Sequence, residues 1–327
     1  MAIHLLNSKT GTRYLPIYLE SLRIDTVLSF DLYIKIGEEM ILYRSADLPF
    51  SEKTLDKLLE NNVNRLYVSE KFKDKYQKYI EQNLDKILND RKIPEKKKAN
   101  ILYDTSKSLM KDVLENPTFG ENIRRSTSMV THTVGFILKG QAAFHNLLRI
   151  SSFDYYTYTH SVNVCTFAVA LAQQLGIRDD KSLNELGMGA LLHDIGKSKI
   201  SDRILNKRTT LSPMEFELMK KHPKWGIEIL SGTDMINPVS YYPVLQHHER
   251  GGKDGYPNGI GLSEMHDYSK IVAIVDSFDA MTTERVYQKA KETFPALQQM
   301  FSMKNAYERK MLKAFAELMG PSGLLNI

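Results

Sequence analysis

Only one cysteine, Cys165, occurs in the 327 residues, so no disulfide can form within the chain and a reducing compartment is its natural setting. No stretch approaches 18 apolar residues, and the opening MAIHLLNSKTGTRYLPIYLE has no uninterrupted hydrophobic segment. Neither a membrane span nor a secretory leader is therefore expected, and the expected location is cytoplasmic. Internal repeats and low-complexity tracts are missing. So are a strand leading into GKS/T and a basic tract interleaved with aromatics, which sets aside a Walker loop and a nucleic-acid polymer as partner. Charge of one sign is not in large excess either: 44 basic and 39 acidic residues leave +5, which favours anionic partners without naming one.

What is present is an ordinary globular composition, 42% hydrophobic and 25% charged, long enough for one large or two ordinary domains. The first part reads as short strands. LPIYL, IDTVLSF, LYIKI and MILYR are apolar and β-branched, with alternation at Leu32, Ile34 and Ile36. After a turn at Asp47 to Pro49, Ser51 opens a helix over 52–60 with Leu55, Leu58 and Leu59 at helical spacing, and LYV is a further strand. Residues 70–94 carry Phe72, Tyr76, Tyr79, Ile80, Leu84, Ile87 and Leu88 near one stripe of a charged helix, and Pro94 marks a break. The lysines here and in EKKK at 95–98 read as a solvated helix face. Residues 1–94 are thus expected to form a small mixed α/β domain, regulatory or dimerising in role.

From 95 to 327 the chain reads as almost continuous helix. Candidate helices span 96–115, 120–149, 153–175, 180–195, 212–231, 238–248, 268–281 and 295–319. The stretch 95–150 is an extension that serves the helical core or a dimer connection. IVAIVD at 271–276 suits either a helix or a buried strand.

Histidines concentrate in this half: seven of nine lie between 132 and 248. In LGMGALLHDIGKSKI, Leu186, Ala190 and His193 share a helix face, and Gly187 and Gly189 permit close approach of a second helix. Asp194 beside His193 lets an imidazole and a carboxylate reach one small volume, which suits a divalent metal as well as an ordinary hydrogen-bonded pair. His160 heads the apolar stripe Val164, Phe167, Ala168, Leu171 and Leu175, so its ring faces inward, as a ligand or as a core histidine with a satisfied hydrogen bond. His222 precedes Pro223 at a helix start, and His247 with His248 ends YYPVLQHHER. Adjacent imidazoles do not share one side of a regular helix, so their joint use requires a concave site.

Taken together, His193 and Asp194, Lys197, His222, HHER at 247–250, GYP at 255–257 and VDSFDAMTTERVY at 275–287 resemble the HD-GYP family of bacterial cyclic dinucleotide phosphodiesterases, across residues 150–290. The resemblance implies a predominantly α-helical HD-domain fold behind the small N-terminal α+β domain. It also implies metal-dependent hydrolysis of cyclic di-GMP to linear pGpG, with onward conversion to GMP, by a metal-activated bridging hydroxide. In the family pattern His160, His193, Asp194 and Asp276 hold one ion, His222, His247 and His248 hold a second, and Asp194 bridges them. Iron or manganese is the expected metal, with zinc also compatible. Lys197 and Arg285 are the implied phosphate contacts, although a solvent lysine and a helix-face ion pair are the plainer alternatives. Tyr256 stacks on guanine or bonds within its glycine-rich loop.

Several positions depart from the pattern. Tyr156 stands where some members have a glutamate for a third ion, so two ions are expected, with pGpG as the main product. HHERGGKDGYP replaces HHERxDGxGYP, and His266, Val286 and Gln288 replace two prolines and a basic residue. These leave the ligands intact while altering the surroundings of the substrate, so a weakly active or inactive cyclic dinucleotide receptor is the alternative. Expected partners are cyclic di-GMP, a second copy of the chain and a signalling protein acting through the N-terminal domain.

Overall fold

The computed structural model describes residues 6–7, 11–24, 26–151, 157–207, 209–283 and 290–320. The chain divides into two compact units, Met1–Thr105 and Ser106–Ile327.

The first unit contains β1 (Leu6–Asn7), β2 (Arg13–Tyr18), β3 (Thr26–Val27), β4 (Leu32–Ile36), β5 (Glu39–Arg44) and β6 (Pro49–Phe50). These are followed by α1 (Glu52–Glu60), β7 (Arg65–Ser69), α2 (Lys73–Asn89) and the start of α3 (Glu95–Glu115). Five strands form an antiparallel sheet in the order β1-β2-β7-β4-β5, and β3 pairs with β6 separately. The register places Leu15 opposite Val68 and Ile17 opposite Leu66, all four buried, which is the alternation of a sheet with one covered face. Ile80, Leu84, Ile87 and Leu88 of α2 are buried in the same unit, and Ser51 caps α1 by accepting from the Thr54 amide. Of the strand read from IDTVLSF only Thr26–Val27 pairs; Leu28 and Phe30 are buried without joining a ladder. The compact units divide within α3, one long helix beginning just after Pro94.

The second unit is helical: α4 (Gly120–Ile137), α5 (Gln141–Ile150), α6 (Thr157–Gln174), α7 (Asp180–Leu191), α8 (Asp202–Leu205), α9 (Pro213–Met219) and α10 (His222–Ser231). Then come α11 (Tyr241–Gln246), α12 (Asp267–Thr282), α13 (Thr293–Ser302) and α14 (Arg309–Met319), with short 3₁₀ turns at Ile195–Lys199 and Pro238–Ser240. Helices α6 and α12 are buried on nearly every side and pack on each other, with α7, α11 and α14 around them. Phe167, Phe278 and Phe315 meet between them at centroid distances of 5.0–6.3 Å. IVAIVD is helical: burial all round, rather than sheet pairing, is what its β-branched residues satisfy.

Three long helices expected from periodicity are divided. The run 120–149 breaks at Gly140, whose φ of 126° no helix accommodates. The run 212–231 breaks before His222, where Pro223 opens a new helix. The run 295–319 breaks over 303–308, where Asn305 takes φ 57°. In each case the apolar stripe continues on both sides of the break, so periodicity alone could not locate it.

The close approaches expected of the glycines occur. A Cβ on Gly187 would lie 2.6 Å from Val130, and one on Gly189 2.6 Å from the Ser240 carbonyl. Tighter still is Gly196, where a Cβ would sit 1.9 Å from the carbonyl oxygen of His222, so only glycine lets the turn after Asp194 rest on the start of α10.

Candidate metal centre

Seven side chains converge from five places in the helical unit. His160 comes from the first turns of α6, and His193 and Asp194 from the turn that ends α7. His222 is the first residue of α10, His247 and His248 follow α11, and Asp276 lies in the middle of α12. Helix α11 stops at Gln246, so the two adjacent histidines sit in a turn, and their ring centroids lie 4.1 Å apart.

Two groups result. The ligand atoms of His160, His193 and Asp276 lie within 4.8 Å of one another, and so do those of Asp194, His222, His247 and His248. Asp194 faces both. Its Oδ2 is 3.3 Å from His193 Nε2 and 3.7 Å from His160 Nε2, while its Oδ1 is 3.2 Å from His222 Nε2 and 3.7 Å from His247 Nε2. His160 Nε2 is 3.0 Å from Asp276 Oδ1 and 3.3 Å from His193 Nε2; His248 Nδ1 is 3.8 Å from Asp276 Oδ2. His222 and His247 bring their Nε2 atoms to 3.1 Å.

Backbone carbonyls take up the other ring nitrogen of three imidazoles. His193 Nδ1 lies 2.8 Å from Ala190 O, His222 Nδ1 2.7 Å from Met219 O, and His247 Nδ1 2.9 Å from Pro243 O. A neutral imidazole that donates from Nδ1 has only a lone pair at Nε2. Burial favours that neutral form: it pushes His222 below the ordinary imidazole value, and His247 and His248 well below it, with neighbouring histidines adding to the effect on the last two. For Asp194, burial opposes the charged form, but Lys197 and His193 outweigh it and hold the carboxyl well below the usual carboxylate range. Asp276 is likewise held well below that range, its burial outweighed by its neighbours, chiefly the adjacent His160.

These facts fit a pair of cations. Asp194 Oδ1 is buried and accepts no hydrogen bond, and the imidazole nitrogens aimed at it present lone pairs. Lone pairs facing lone pairs repel unless a positive charge lies between them, and mixed nitrogen and carboxylate donors suit divalent transition metals.

The surroundings follow from the same segments. Lys197, in the turn after Asp194, brings Nζ to 2.5 Å from Asp194 Oδ2. Tyr256 lies over His248 with centroids 4.6 Å apart, 6.3 Å from His222, and its phenol is pushed up by burial. The ring of Phe216 on α9 meets Tyr256 edge to face at 6.4 Å and is 47% exposed. Arg285 and Tyr156 lie outside the described residues.

Four residues not singled out from the sequence organise this region. Asp279 bonds His160 Nδ1 at 2.6 Å and accepts from Asn163 at 2.8 Å. Glu249, fully buried, accepts from the amides of Asn258 and Ile260 at 2.7 and 3.1 Å and so holds the chain on the far side of Tyr256–Pro257. On the near side, the Tyr256 amide donates to the His248 carbonyl. Arg250 donates to the carbonyls of His247 and Glu249 and to Ser277. Asp279 stood three residues beyond a suspected ligand, and Glu249 stood inside HHER; those positions were the available signals.

Residues 143–311 match the HD domain family. The chain is 31% identical over 231 residues to the cyclic di-GMP phosphodiesterase PA4108 of Pseudomonas aeruginosa, covering 69% of this chain and 56% of that protein. It is 36% identical over 167 residues to a cyclic di-GMP phosphodiesterase of Thermotoga maritima, covering 50% of this chain and 45% of that one. The chain thus spans about half the length of these curated relatives. Among solved structures, Bd1817, a HDG"Y"P protein from Bdellovibrio bacteriovorus, shares the fold with a TM-score of 0.66 at 24% identity, over 93% of this chain and 99% of that one.

Proposed function

Because the chain belongs to the HD-GYP family of HD-domain proteins, we propose that it is a metal-dependent phosphodiesterase that opens cyclic di-GMP to linear pGpG, with slower onward cleavage to GMP. The observation that carries this reading is the carboxylate of Asp194, whose two oxygens face two separate groups of imidazoles. In this reading His160, His193 and Asp276 would hold one ion and His222, His247 and His248 the other, with Asp194 serving both. When bound, two divalent cations supply Lewis acidity that makes water a nucleophile at neutral pH and offsets charge developing on the phosphodiester. Iron or manganese suits this donor set, and zinc is compatible with it.

The chain's own groups do the rest. Lys197, tied to Asp194 and only partly buried, sets an ammonium at the cleft where it donates to a nonbridging phosphate oxygen or to the departing 3′ oxygen. Tyr256 and Phe216 continue the line of rings outward from His248, a wall on which a purine stacks while its phosphate faces the ions. Arg285 is assigned a second phosphate contact by the family pattern alone. Hydrolysis adds water across one P–O3′ bond, leaving a 5′-phosphate and a free 3′ hydroxyl.

The N-terminal unit is assigned a regulatory or dimerising role, with a signalling protein or a second copy as its partner. No helix among the described residues is long and apolar enough to cross a membrane. The cytoplasm, where Cys165 remains a thiol, is the compartment this reading assigns.

The test is incubation of protein loaded anaerobically with iron or manganese with cyclic di-GMP, products resolved over time, beside an Asp194→Ala control. Metal-dependent pGpG that disappears in D194A supports the proposal. Tight binding of cyclic di-GMP without turnover would make the chain a receptor, and faster cleavage of a mixed cyclic dinucleotide would reassign the substrate.

A further inference from the structure

Three imidazoles of the cluster rest their Nδ1 on neutral backbone carbonyls; His160 rests its Nδ1 on a carboxylate. The carboxylate is Asp279, 2% exposed, with Oδ2 at 2.6 Å from His160 and Oδ1 accepting from Asn163 Nδ2 at 2.8 Å. Helix geometry explains the arrangement. Asn163 follows His160 by three residues on α6, and Asp279 follows Asp276 by three residues on α12, so each helix presents its pair on one face. The helices therefore interlock twice, through His160 with Asp276 and through Asn163 and His160 with Asp279.

A carboxylate in a dry helix interface is costly unless both oxygens are used, and here both are. What it accomplishes is directional. With Nδ1–H donated to Asp279, the His160 ring is held in one tautomer and one orientation, its Nε2 turned toward Asp276 and His193. A negative partner on one ring nitrogen also makes the other nitrogen a stronger donor to a cation, which a backbone carbonyl does less well.

We infer that Asp279 is the positioning residue for the ion held by His160, His193 and Asp276, and that it makes this half of the centre bind more tightly than it otherwise would, leaving the half at His222, His247 and His248 untouched. The inference rests on the two-ion reading above. Asp279 does not contact substrate in this assignment; it acts through His160.

Its test is equilibrium binding of manganese alone to the metal-free full-length chain, followed by calorimetry or chelator competition, with metal content and the melting temperature of the metal-free protein measured alongside. The wild type takes up two ions. In Asp279→Ala one affinity falls about 10- to 100-fold and the other does not change. Asp279→Asn, which preserves shape and hydrogen bonding to Asn163, shifts the same ion in the same direction, and covers the case in which D279A fails to fold. In a His160→Ala background, Asp279→Ala has no further effect, because its route to the ion is already gone. Nitrogen chemical shifts of His160 in the metal-free protein report loss of the single tautomer in D279A. Wild-type affinities in both Asp279 variants, equal weakening of both ions, or an undiminished effect in the H160A background would overturn the inference. A wild type that takes up fewer than two ions would overturn the two-ion reading itself, a separate and recognisable result.

Discussion

The two halves of the histidine cluster are built differently. The half at His160, His193 and Asp276 is set on α6 and α12, helices buried on nearly every side, and on the turn that ends α7, and it is braced by Asp279 and Asn163. The half at His222, His247 and His248 is set on helix ends and a turn, with the rings of His222 and His247 held by backbone carbonyls, and it lies beside Tyr256 and the exposed Phe216. Well-buried helices and a carboxylate brace fix the first donor set. His248, with 20% of its side chain exposed, is the most open of the seven donors, and in the proposed reading the phosphodiester enters beside it.

Asp194 joins the halves, so its replacement is the most damaging change. In Asp194→Ala the turnover of cyclic di-GMP falls about a thousandfold or more, several kcal/mol of transition-state stabilisation, and metal content drops below two ions per chain. Replacing His193 or His222 sharpens the contrast: each single variant retains one ion, and it is a different one, as metal analysis combined with the double variant will show.

A smaller loss is expected on the open side. Glu249→Ala leaves the Asn258 and Ile260 amides without their acceptor and removes the anchor of the Tyr256 segment, costing about 2–3 kcal/mol by denaturant unfolding and loosening only the half next to that segment. Phe216→Ala removes one stacking surface without touching a ligand; KM for cyclic di-GMP rises about tenfold while kcat and metal content hold. An equal fall in kcat would place Phe216 in the machinery of the closed half and break the distinction.

The smallest effect is on pH dependence. Burial depresses the folded-state pKa of His247 and His248 below 6.5, so the unfolded chain binds protons that the folded metal-free protein excludes. Their contribution is present above pH 6.5 and is lost as pH falls below it, so the melting temperature of the metal-free protein declines from pH 7 toward pH 5. His248→Gln flattens that slope if the open half is its source; an unchanged slope would assign it elsewhere.

Much of this could be read in the sequence. The small sheet, the helical remainder and the seven ligand-capable residues were legible because strands, helices and metal donors each have distinctive residue types and spacings. The family resemblance grouped the donors, a step that spacing could not make between Asp194 and residues 28 to 82 positions away. Asp279 and Glu249 were not legible as supports, since an acidic residue on a helix or in a loop is usually solvated, and only packing shows what it faces. The breaks at Gly140, before His222 and across 303–308 escaped periodicity because the apolar stripe runs through them.

The sequence by itself determined which chemistry was available: imidazoles and carboxylates, a glycine at 196, a loop bearing Tyr256, and helices apolar enough to bury their bearers. The partition into two groups and the sharing of Asp194 came from the family resemblance; tertiary structure supplied the geometry that brings those donors together and alone decided the choice of Asp279 to steady His160. The reason is one of distance: ligand identity is local to a residue, whereas a site a few ångströms across is assembled from helix positions far apart in the chain, and that assembly depends on how the helices pack.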